Sequence, residues 1–542
     1  MAEAAARRAE PGLPTAMPEP PPEDTGGPSA STLVLMVSVF VVAACGLVYE
    51  LCAGALASYL LGDSVLQFST IIGTYLFAMG LGSWCSRYLK RQLVAHFLRI
   101  ELMVGLFGGL MPAGLFIANS LLPAWAGGSF RVLLYGLVGL IGILVGLEIP
   151  LVMRILQRRA RSGQARVGGL RLLVSDVLTF DYLGALAVSL AFPLLLVPHL
   201  GLVRTGVFFG LLNTAVACWA LWLFKGEIRA WRSHALACGG VAAVLGVAMA
   251  GAEPLTTWSE DRFYGDGVVL RQNTPYQRIV VSQGHGGGLR LFLNGNLQFA
   301  SRDEYRYHEA LVHPAMAAQG APQRVLVLGG GDGMAVREIL KYPSVQQVTL
   351  VELDPAMTRL FSQDPRLVAL NQASLRDPRV RVVNADAFTW LGTHEDMYDV
   401  IVMDFPDPSN HAIGKLYSTT FYALMAQHLS ASGYAVVQTT SPLIARKSFW
   451  TVVGTLEAVG LQTTPYHAHV PSFGEWGFVI ASMRPWHAPQ RLPDGLRFLT
   501  LSGLPALMDF APDMARVPAE PNRLSSQTLV RTFEAEWGRV HQ

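Results

Sequence analysis

The chain has 542 residues, too many for one ordinary domain, so two or more are expected. Hydrophobic residues make up 51% and charged residues only 15%, below the roughly 25% charge of soluble domains, and the deficit is concentrated in the first half. A net charge of +2, with no basic stripe interleaved with aromatics, excludes a nucleic-acid binder.

Residues 1–31 are rich in Ala, Pro and Glu without apolar periodicity and read as a disordered tail. The apolar run that follows is too long for a cleavable signal and lacks its small-residue cleavage pattern. Runs long enough to span a bilayer, which takes about 20 residues, come next at 32–61, 68–84, 99–122, 132–156, 174–197 and 203–223. A seventh, 235–250, is shorter and made mainly of Ala, Gly and Val, so a membrane domain of six or seven helices is expected over 32–250. All five cysteines (Cys45, Cys52, Cys85, Cys218 and Cys238) lie in this half at no zinc-type spacing, and read as small packing residues.

Basic residues cluster in alternate connections: Arg87, Lys90 and Arg91, then Arg154 through Arg171, then Lys225, Arg229 and Arg232. The positive-inside rule makes these connections and the N-terminus cytoplasmic, in a multi-pass protein expected in a cell inner membrane. Seven crossings would put the C-terminal half outside; a seventh segment lying on the membrane would keep it inside. Glu50, Glu101, Glu148, Asp176 and Asp181 fall within or beside the apolar runs. Charge in a bilayer is costly, so these acids either serve a cation pathway or pair with neighbouring helices.

From about Gly251 the composition becomes that of a soluble protein. Short alternating segments over 261–300, separated by Gly-rich turns, predict a small antiparallel β unit, and 304–318 predicts a helix, together a unit spanning 251–320. From Gln323 strands alternate with helical segments: RVLVLGGGDG, VQQVTLVELD, RVRVVNAD, YDVIVMD and YAVVQTT. That alternation predicts a doubly wound, Rossmann-like α/β sheet over 321–486. Residues 487–542 form a C-terminal tail whose place the pattern does not fix.

The first of these strands ends in Gly329-Gly330-Gly331-Asp332-Gly333, a turn that lets backbone approach a ligand. The dinucleotide fingerprint fails, because its last glycine position is Met334, and no Lys-Ser/Thr follows to make a phosphate loop. Glu352 ends the next strand, where an acid accepts ribose hydroxyls, and Asp386 follows the third. Acids at this rim suit a nucleoside with a cationic tail and would repel a pyrophosphate. The fourth strand runs into Asp404-Phe405-Pro406-Asp407-Pro408. A desolvated diamine needs counter-charges of this kind, and one carboxylate serves as general base to strip the attacking amine. The structural alternative is that Asp404 and Asp407 cap the next helix.

Tyr276-Gln277, Leu293-Asn294-Gly295-Asn296-Leu297-Gln298, Asp303-Glu304 and Tyr307-His308-Glu309 precede the glycine turn. Val351-Glu352-Leu353-Asp354, Asp386-Ala387, Asp404-x-x-Asp407-Pro408, Leu416-Tyr417 and Gly474-x-Trp476-Gly477-Phe478 follow it. In this order the set resembles the spermidine/spermine synthases, the polyamine aminopropyltransferases, over residues 268–482, in a form with an N-terminal multi-span membrane domain. The resemblance implies that Gln277, Gln298, His308, Asp332, Glu352 and Asp386 surround decarboxylated S-adenosylmethionine, a co-substrate with no tightly bound cofactor and no metal. It implies Asp404 as general base, Asp407 holding the amine, Tyr307 and Gln438 lining the amine channel, and a homo-oligomer. The expected reaction moves an aminopropyl group to a diamine such as putrescine, releasing methylthioadenosine, and because the donor is made in the cytoplasm the catalytic domain is expected on the cytoplasmic side.

Three departures from the family pattern stand out: Asn294 for Asp, Thr439-Thr440 after Gln438 where Glu is frequent, and Phe473 for a substrate-facing Tyr. These changes predict a thinner set of polar contacts on the amine side, with Glu475 as the candidate replacement acid. Two other readings stay open on sequence: a transferase using intact S-adenosylmethionine with another acceptor, and a polyamine transporter or sensor with a non-catalytic synthase-like domain.

Overall fold

The computed structural model describes residues 30–61, 64–121, 127–161, 170–264, 267–284 and 286–538. Of the tail predicted over residues 1–31, residues 1–29 lie outside the described residues, as does Arg166, while Ala30 and Ser31 already belong to the first helix. The first half is a bundle of helices α1 (Ala30–Leu61), α2 (Ser64–Cys85), α3 (Leu93–Leu121), α4 (Gly127–Arg161), α5 (Leu170–Ala191), α6 (Val197–Leu223) and α7 (Trp231–Tyr264). Among the described residues six apolar stretches are long enough to cross a membrane, and one of them, Val174–Leu223, is 50 residues long. At 1.5 Å per residue that is about two and a half times the thickness of a hydrocarbon core. The stretch holds α5 and α6, joined through a π-helical turn at Phe192–Leu196 and broken at Gly201, whose φ of +73° and ψ of 172° no helix tolerates.

Small residues let these helices approach closely. A Cβ at Gly146 would lie 2.2 Å from the Met79 carbonyl oxygen, and one at Gly82 would lie 2.1 Å from that of Ile143, which locks α2 against α4. Gly105 and Gly109 face Gly210 in the same way across α3 and α6.

The polar ends fix the order of the bundle. At one end Arg154 donates to the Leu89 carbonyl at 3.2 Å and to Ser86 at 2.6 Å, Arg158 donates to the Lys90 carbonyl, and Arg159 pairs with Glu227 at 3.1 Å. At the other end Arg204 pairs with Glu253 at 2.6 Å and Arg262 donates to the Ser120 carbonyl. Helix α7 therefore runs the length of the bundle antiparallel to α6. Its apolar stretch, Trp231–Trp258, has 28 residues, so the seventh segment is longer than the Ala/Gly/Val core alone predicts. Helix-compatible flanks extend it at both ends.

The second half begins with a four-stranded antiparallel sheet, β1 (Gly267–Asn273), β2 (Arg278–Gln283), β3 (Leu289–Leu293) and β4 (Asn296–Ala300), and then helix α8 (Glu304–Gln319). A seven-stranded sheet follows: β5 (Arg324–Gly329), β6 (Gln347–Glu352), β7 (Val380–Asn384), β8 (Tyr398–Asp404), β9 (Leu429–Gln438), β10 (Gln462–Val470) and β11 (Gly474–Ser482), in the order β10-β11-β9-β8-β5-β6-β7. β5 to β9 are parallel and the β10–β11 hairpin is antiparallel.

Alternate residues of the central strands serve two cores. Val325, Val327, Val400 and Val402 face one side with α8, while Leu326, Leu328, Ile401 and Met403 face the other. Around the sheet run α9 (Met334–Ile339), α10 (Pro355–Gln363), α11 (Pro365–Leu370), α12 (Ala387–Leu391), α13 (His411–Gly414), α14 (Thr419–Gln427) and α15 (Arg446–Ala458). The order in which strands are added reverses about β5, with β6 on one side and β8 on the other. That makes the gap between the ends of β5 and β8 the switch point where such sheets bind ligands.

Beyond residue 487 the chain wraps this domain through α16 (Leu504–Leu507) and α17 (Thr528–Trp537). Backbone N–H groups of Arg497, Phe498 and Leu499 converge on the Glu309 carboxylate, and Glu536 caps the start of α15 through the Lys447 and Ser448 N–H groups. Leu529, Val530 and Phe533 are buried.

Candidate active site

Gly329 pairs with Asp404 across β5 and β8, so the glycine turn and the fourth-strand acid are neighbours by register. Gly329 and Gly330 have φ of +79° and +65°, and a Cβ on Gly329 would lie 2.2 Å from the Asp404 carbonyl oxygen. Only glycine permits this approach. A Cβ on Gly331 would meet the Glu352 side chain at 2.7 Å, and the Gly331 N–H instead donates to Glu352 Oε2 at 3.2 Å.

Asp404 is half-buried, and its Oδ1 accepts a 2.7 Å bond from the Tyr307 hydroxyl on α8. Burial and the nearby Asp332 carboxylate raise its pKa to about 6, although His308 and the Tyr307 bond pull the other way. Asp407 stands three residues on, with an enclosed Oδ1 that meets no donor. Burial pushes its pKa to about 8, partly offset by Gln438. Neither acid caps a helix, because Asn410 caps α13 and Ser418 caps α14.

Gln438 ends β9 and is held from three directions. Its amide donates to the Phe405 carbonyl and, at 2.8 Å, to the Tyr417 hydroxyl, and its carbonyl oxygen accepts from the Trp476 indole at 3.1 Å. Phe473 stacks near Trp476 with centroids 5.2 Å apart and near Tyr307 at 6.1 Å. Two carboxylates inside a wall of Tyr307, Tyr417, Phe473 and Trp476 form a surface suited to a cationic alkylamine.

On the other side of Asp404, His308 is fixed by Glu304, which accepts from its Nδ1 at 2.8 Å. Arg337 grips both Glu304 oxygens at 2.9 Å, so the carboxylate is a buried clamp. Burial alone would lower the His308 pKa, but Glu304, with Asp332 and Asp404, outweighs it and raises the value to about 9. Asp332 is buried and accepts the Met334 N–H at 2.9 Å. Glu352 bridges the Gly331 and Asp354 N–H groups, while burial raises its pKa to about 7.

The structure brings Tyr307, His308, Asp332, Glu352, Asp404, Asp407 and Gln438 to the same sheet edge. Gln277 donates to Asp354 at 3.1 Å and so meets the end of β6 indirectly. Gln298, on β4, donates to the Asn296 carbonyl in its own strand. Asp386 is at the rim but occupied, capping α12 through the Thr389 N–H and pairing with Lys415 at 2.6 Å. Two expectations about the departures fail. Asn294 occupies the β3–β4 turn at φ +50° and accepts the Arg278 N–H, so it takes no part on the amine side. Glu475 is bound to His467 and His469 and cannot replace a missing acid beside Gln438.

The spermine/spermidine synthase domain matches residues 304–489. Over 97% of its length the chain is 55% identical to the whole of polyamine aminopropyltransferase 1 of Ralstonia nicotianae. The chain belongs to the polyamine aminopropyltransferase family. It is 47% identical to the polyamine aminopropyltransferase of Leptospira interrogans, over 93% of this chain and 99% of that one. A crystal structure of spermidine synthase with the transition-state analogue AdoDATO aligns at 24% identity and TM-score 0.43, covering 45% of this chain and 85% of that one. The protein is thus an aminopropyltransferase, a transferase of polyamine biosynthesis.

In this aminopropyltransferase the motif reading passed over Arg337, Lys415 and Thr274. The Glu304–His308 spacing of four on one predicted helix was a usable signal for a buried pair, but nothing in the sequence places Arg337 opposite it. Thr274 shares Asp354 with Gln277 at 2.8 Å across 80 residues, a contact without local signature.

Proposed function

We propose that the chain is a membrane-bound aminopropyltransferase that moves the aminopropyl group of decarboxylated S-adenosylmethionine to a diamine such as putrescine. The observation that carries this reading is the placement of Asp404 and Asp407 at the switch point, one hydrogen-bonded to Tyr307 and the other with an enclosed oxygen that lacks a donor. An ammonium supplies the donor that Asp407 lacks.

With a pKa near 6, Asp404 is ionised at neutral pH and accepts a proton from the other amine end as its nitrogen attacks. A C–N bond forms at the aminopropyl carbon, the C–S bond breaks, and its electron pair stays on sulfur. Methylthioadenosine leaves as a neutral thioether, and the proton resides on Asp404. Glu352 is placed to take ribose hydroxyls. Asp332 and His308 border the reacting centre from the donor side, and the negative Asp332 disfavours a donor that keeps its carboxylate.

The membrane part of the proposal rests on the apolar bundle. The antiparallel run of α7 supports seven crossings in an inner membrane. The Arg154, Arg158 and Arg159 end supports a cytoplasmic face there, which carries the catalytic domain to the opposite face, against the expectation from a donor made in the cytoplasm. The purified protein, given decarboxylated S-adenosylmethionine and a panel of diamines, should release methylthioadenosine with one amine and lose that release on Asp404→Asn. Bound donor without release for any amine would sink the assignment.

A further inference from the structure

Outside the active site, the bundle contains a cavity of about 180 Å3 lined by α1, α2, α3, α4 and α5, room for several waters or a short aliphatic chain. Glu50, Glu148 and Asp181 line it, and its other walls include Val42, Val145 and Ile149. Glu148 is 1% exposed, and neither of its carboxylate oxygens meets a hydrogen-bond donor. The Tyr75 hydroxyl beside it is already spent on the Gly46 carbonyl at 2.9 Å. Among the described residues lining the cavity there is no Lys, Arg or His.

A buried carboxylate without a partner in an apolar bundle is costly, and the cost is relieved either by a proton or by a cation that enters the cavity. A metal ion needs six or more oxygen ligands for Ca²⁺ or an octahedral shell for Mg²⁺, which walls of Val, Ile, Leu, Met and Phe do not provide. A linear alkylamine fits both halves of the lining, methylenes against the aliphatic walls and an ammonium against Glu148. We propose that this cavity is a second amine site, which binds a linear aliphatic di- or polyamine as its cation within the helical bundle, separate from Asp404 and Asp407.

Equilibrium binding of radiolabelled putrescine and spermidine to the full chain in lipid nanodiscs tests this without donor present. Asp407→Asn serves as the background, so that active-site binding is weakened and the cavity is read alone. An amine equivalent should remain there and weaken about tenfold or more on adding Glu148→Gln. It should weaken likewise on adding Val145→Phe, which fills the cavity without changing charge. Methylthioadenosine release should persist in Glu148→Gln with Asp404 and Asp407 intact. Binding indifferent to both added substitutions, no residual amine binding in the background, or displacement of the amine by an equal concentration of potassium would each overturn the proposal. A failure of the aminopropyl-transfer reading instead appears as absent release in the unsubstituted chain, whatever Glu148 does.

Discussion

The Tyr307 hydroxyl donates a 2.7 Å hydrogen bond to Asp404 Oδ1, joining the helix that leaves the small β domain to the acid that ends β8. The bond favours the ionised carboxylate, against the burial and the Asp332 charge that favour the neutral one. A base must be ionised to accept a proton, so the acidic limb of kcat/KM should fall near pH 6. Tyr307→Phe removes the lowering influence and moves that limb upward by about one to two units, since a bond to a charged group is worth about 1.5–3 kcal/mol. Rates compared at pH 6 and pH 8 check it: the loss should be larger at pH 6. An unshifted limb would detach Tyr307 from the base.

Asp404→Asn should lower kcat by roughly 10²–10⁴ with donor affinity retained, the range for loss of a positioned general base. Asp407→Asn should raise the KM for the amine and leave kcat less affected. With a pKa near 8, Asp407 is largely protonated at pH 7 before an amine arrives. The specificity for the amine should therefore climb through pH 8 in the native chain, and that component of the profile should vanish in Asp407→Asn. Initial rates across pH 6.5–9.5 separate the two acids.

The Glu304–Arg337–His308 clamp makes a prediction about stability. Burial works against Glu304, but the His308 and Arg337 contacts prevail and hold its pKa at about 2. Its contribution is complete above the unfolded value of roughly 4.3 and is lost as pH falls toward 2. The His308 contribution is complete below its unfolded value of roughly 6.5 and is lost as pH rises through about 9. The melting temperature should therefore have a plateau between these unfolded values and fall on either side of it, and Glu304→Gln should flatten both flanks. The same substitution should cost about 3 kcal/mol near pH 6, because it leaves a buried guanidinium short of a partner. Melting curves from pH 2 to pH 9.5 provide the comparison.

These residues also show where sequence reading works and where it stops. The parallel sheet was legible because each strand is a short apolar run, and the rim acids were legible because each follows such a run directly. Asp404 beside Gly329 needed only the strand order. The opposite holds for Glu475, which sits near Trp476 in sequence but on the other face of β11, where period-2 alternation turns it toward His467. Residues 487–538 carried no periodic pattern, since their packing rests on single long-range contacts such as Asn522 with the Gly414 and Tyr417 carbonyls.

The C-terminal wrap ties to the amine wall through Trp537. Its indole donates to Thr440 Oγ1 at 3.0 Å, and its ring centroid lies 6.5 Å from that of Trp476, the residue that holds Gln438. Trp537→Ala should raise the amine KM several-fold while the donor KM stays level, because the Trp476–Gln438 pair loses its outer support. Phe533→Ala, one turn earlier and 7% exposed, should instead cost stability, about 3 kcal/mol or more, with little change in either KM once folded. Equal effects of the two variants on the amine KM would reduce Trp537 to a packing residue.

The order of the bundle makes the last prediction. Arg154 anchors the end of α4 to Ser86, and Arg262 anchors the far end of α7 to the Ser120 carbonyl. These are opposite ends of one set of antiparallel helices, so whichever face takes the first excludes the second. Arg87, Lys90, Arg91, Arg158 and Arg159 gather at the first end, which the proposed orientation, by the charge rule, puts on the cytoplasmic side. An alkaline phosphatase fused after Gln542 should then be active and a fluorescent protein fused there dark. The reverse pattern would mean that the basic ends lie outside or that α7 does not cross. A cysteine introduced at Gly226, labelled from one side of sealed vesicles, tells those two apart, since only an inverted bundle exposes it outside.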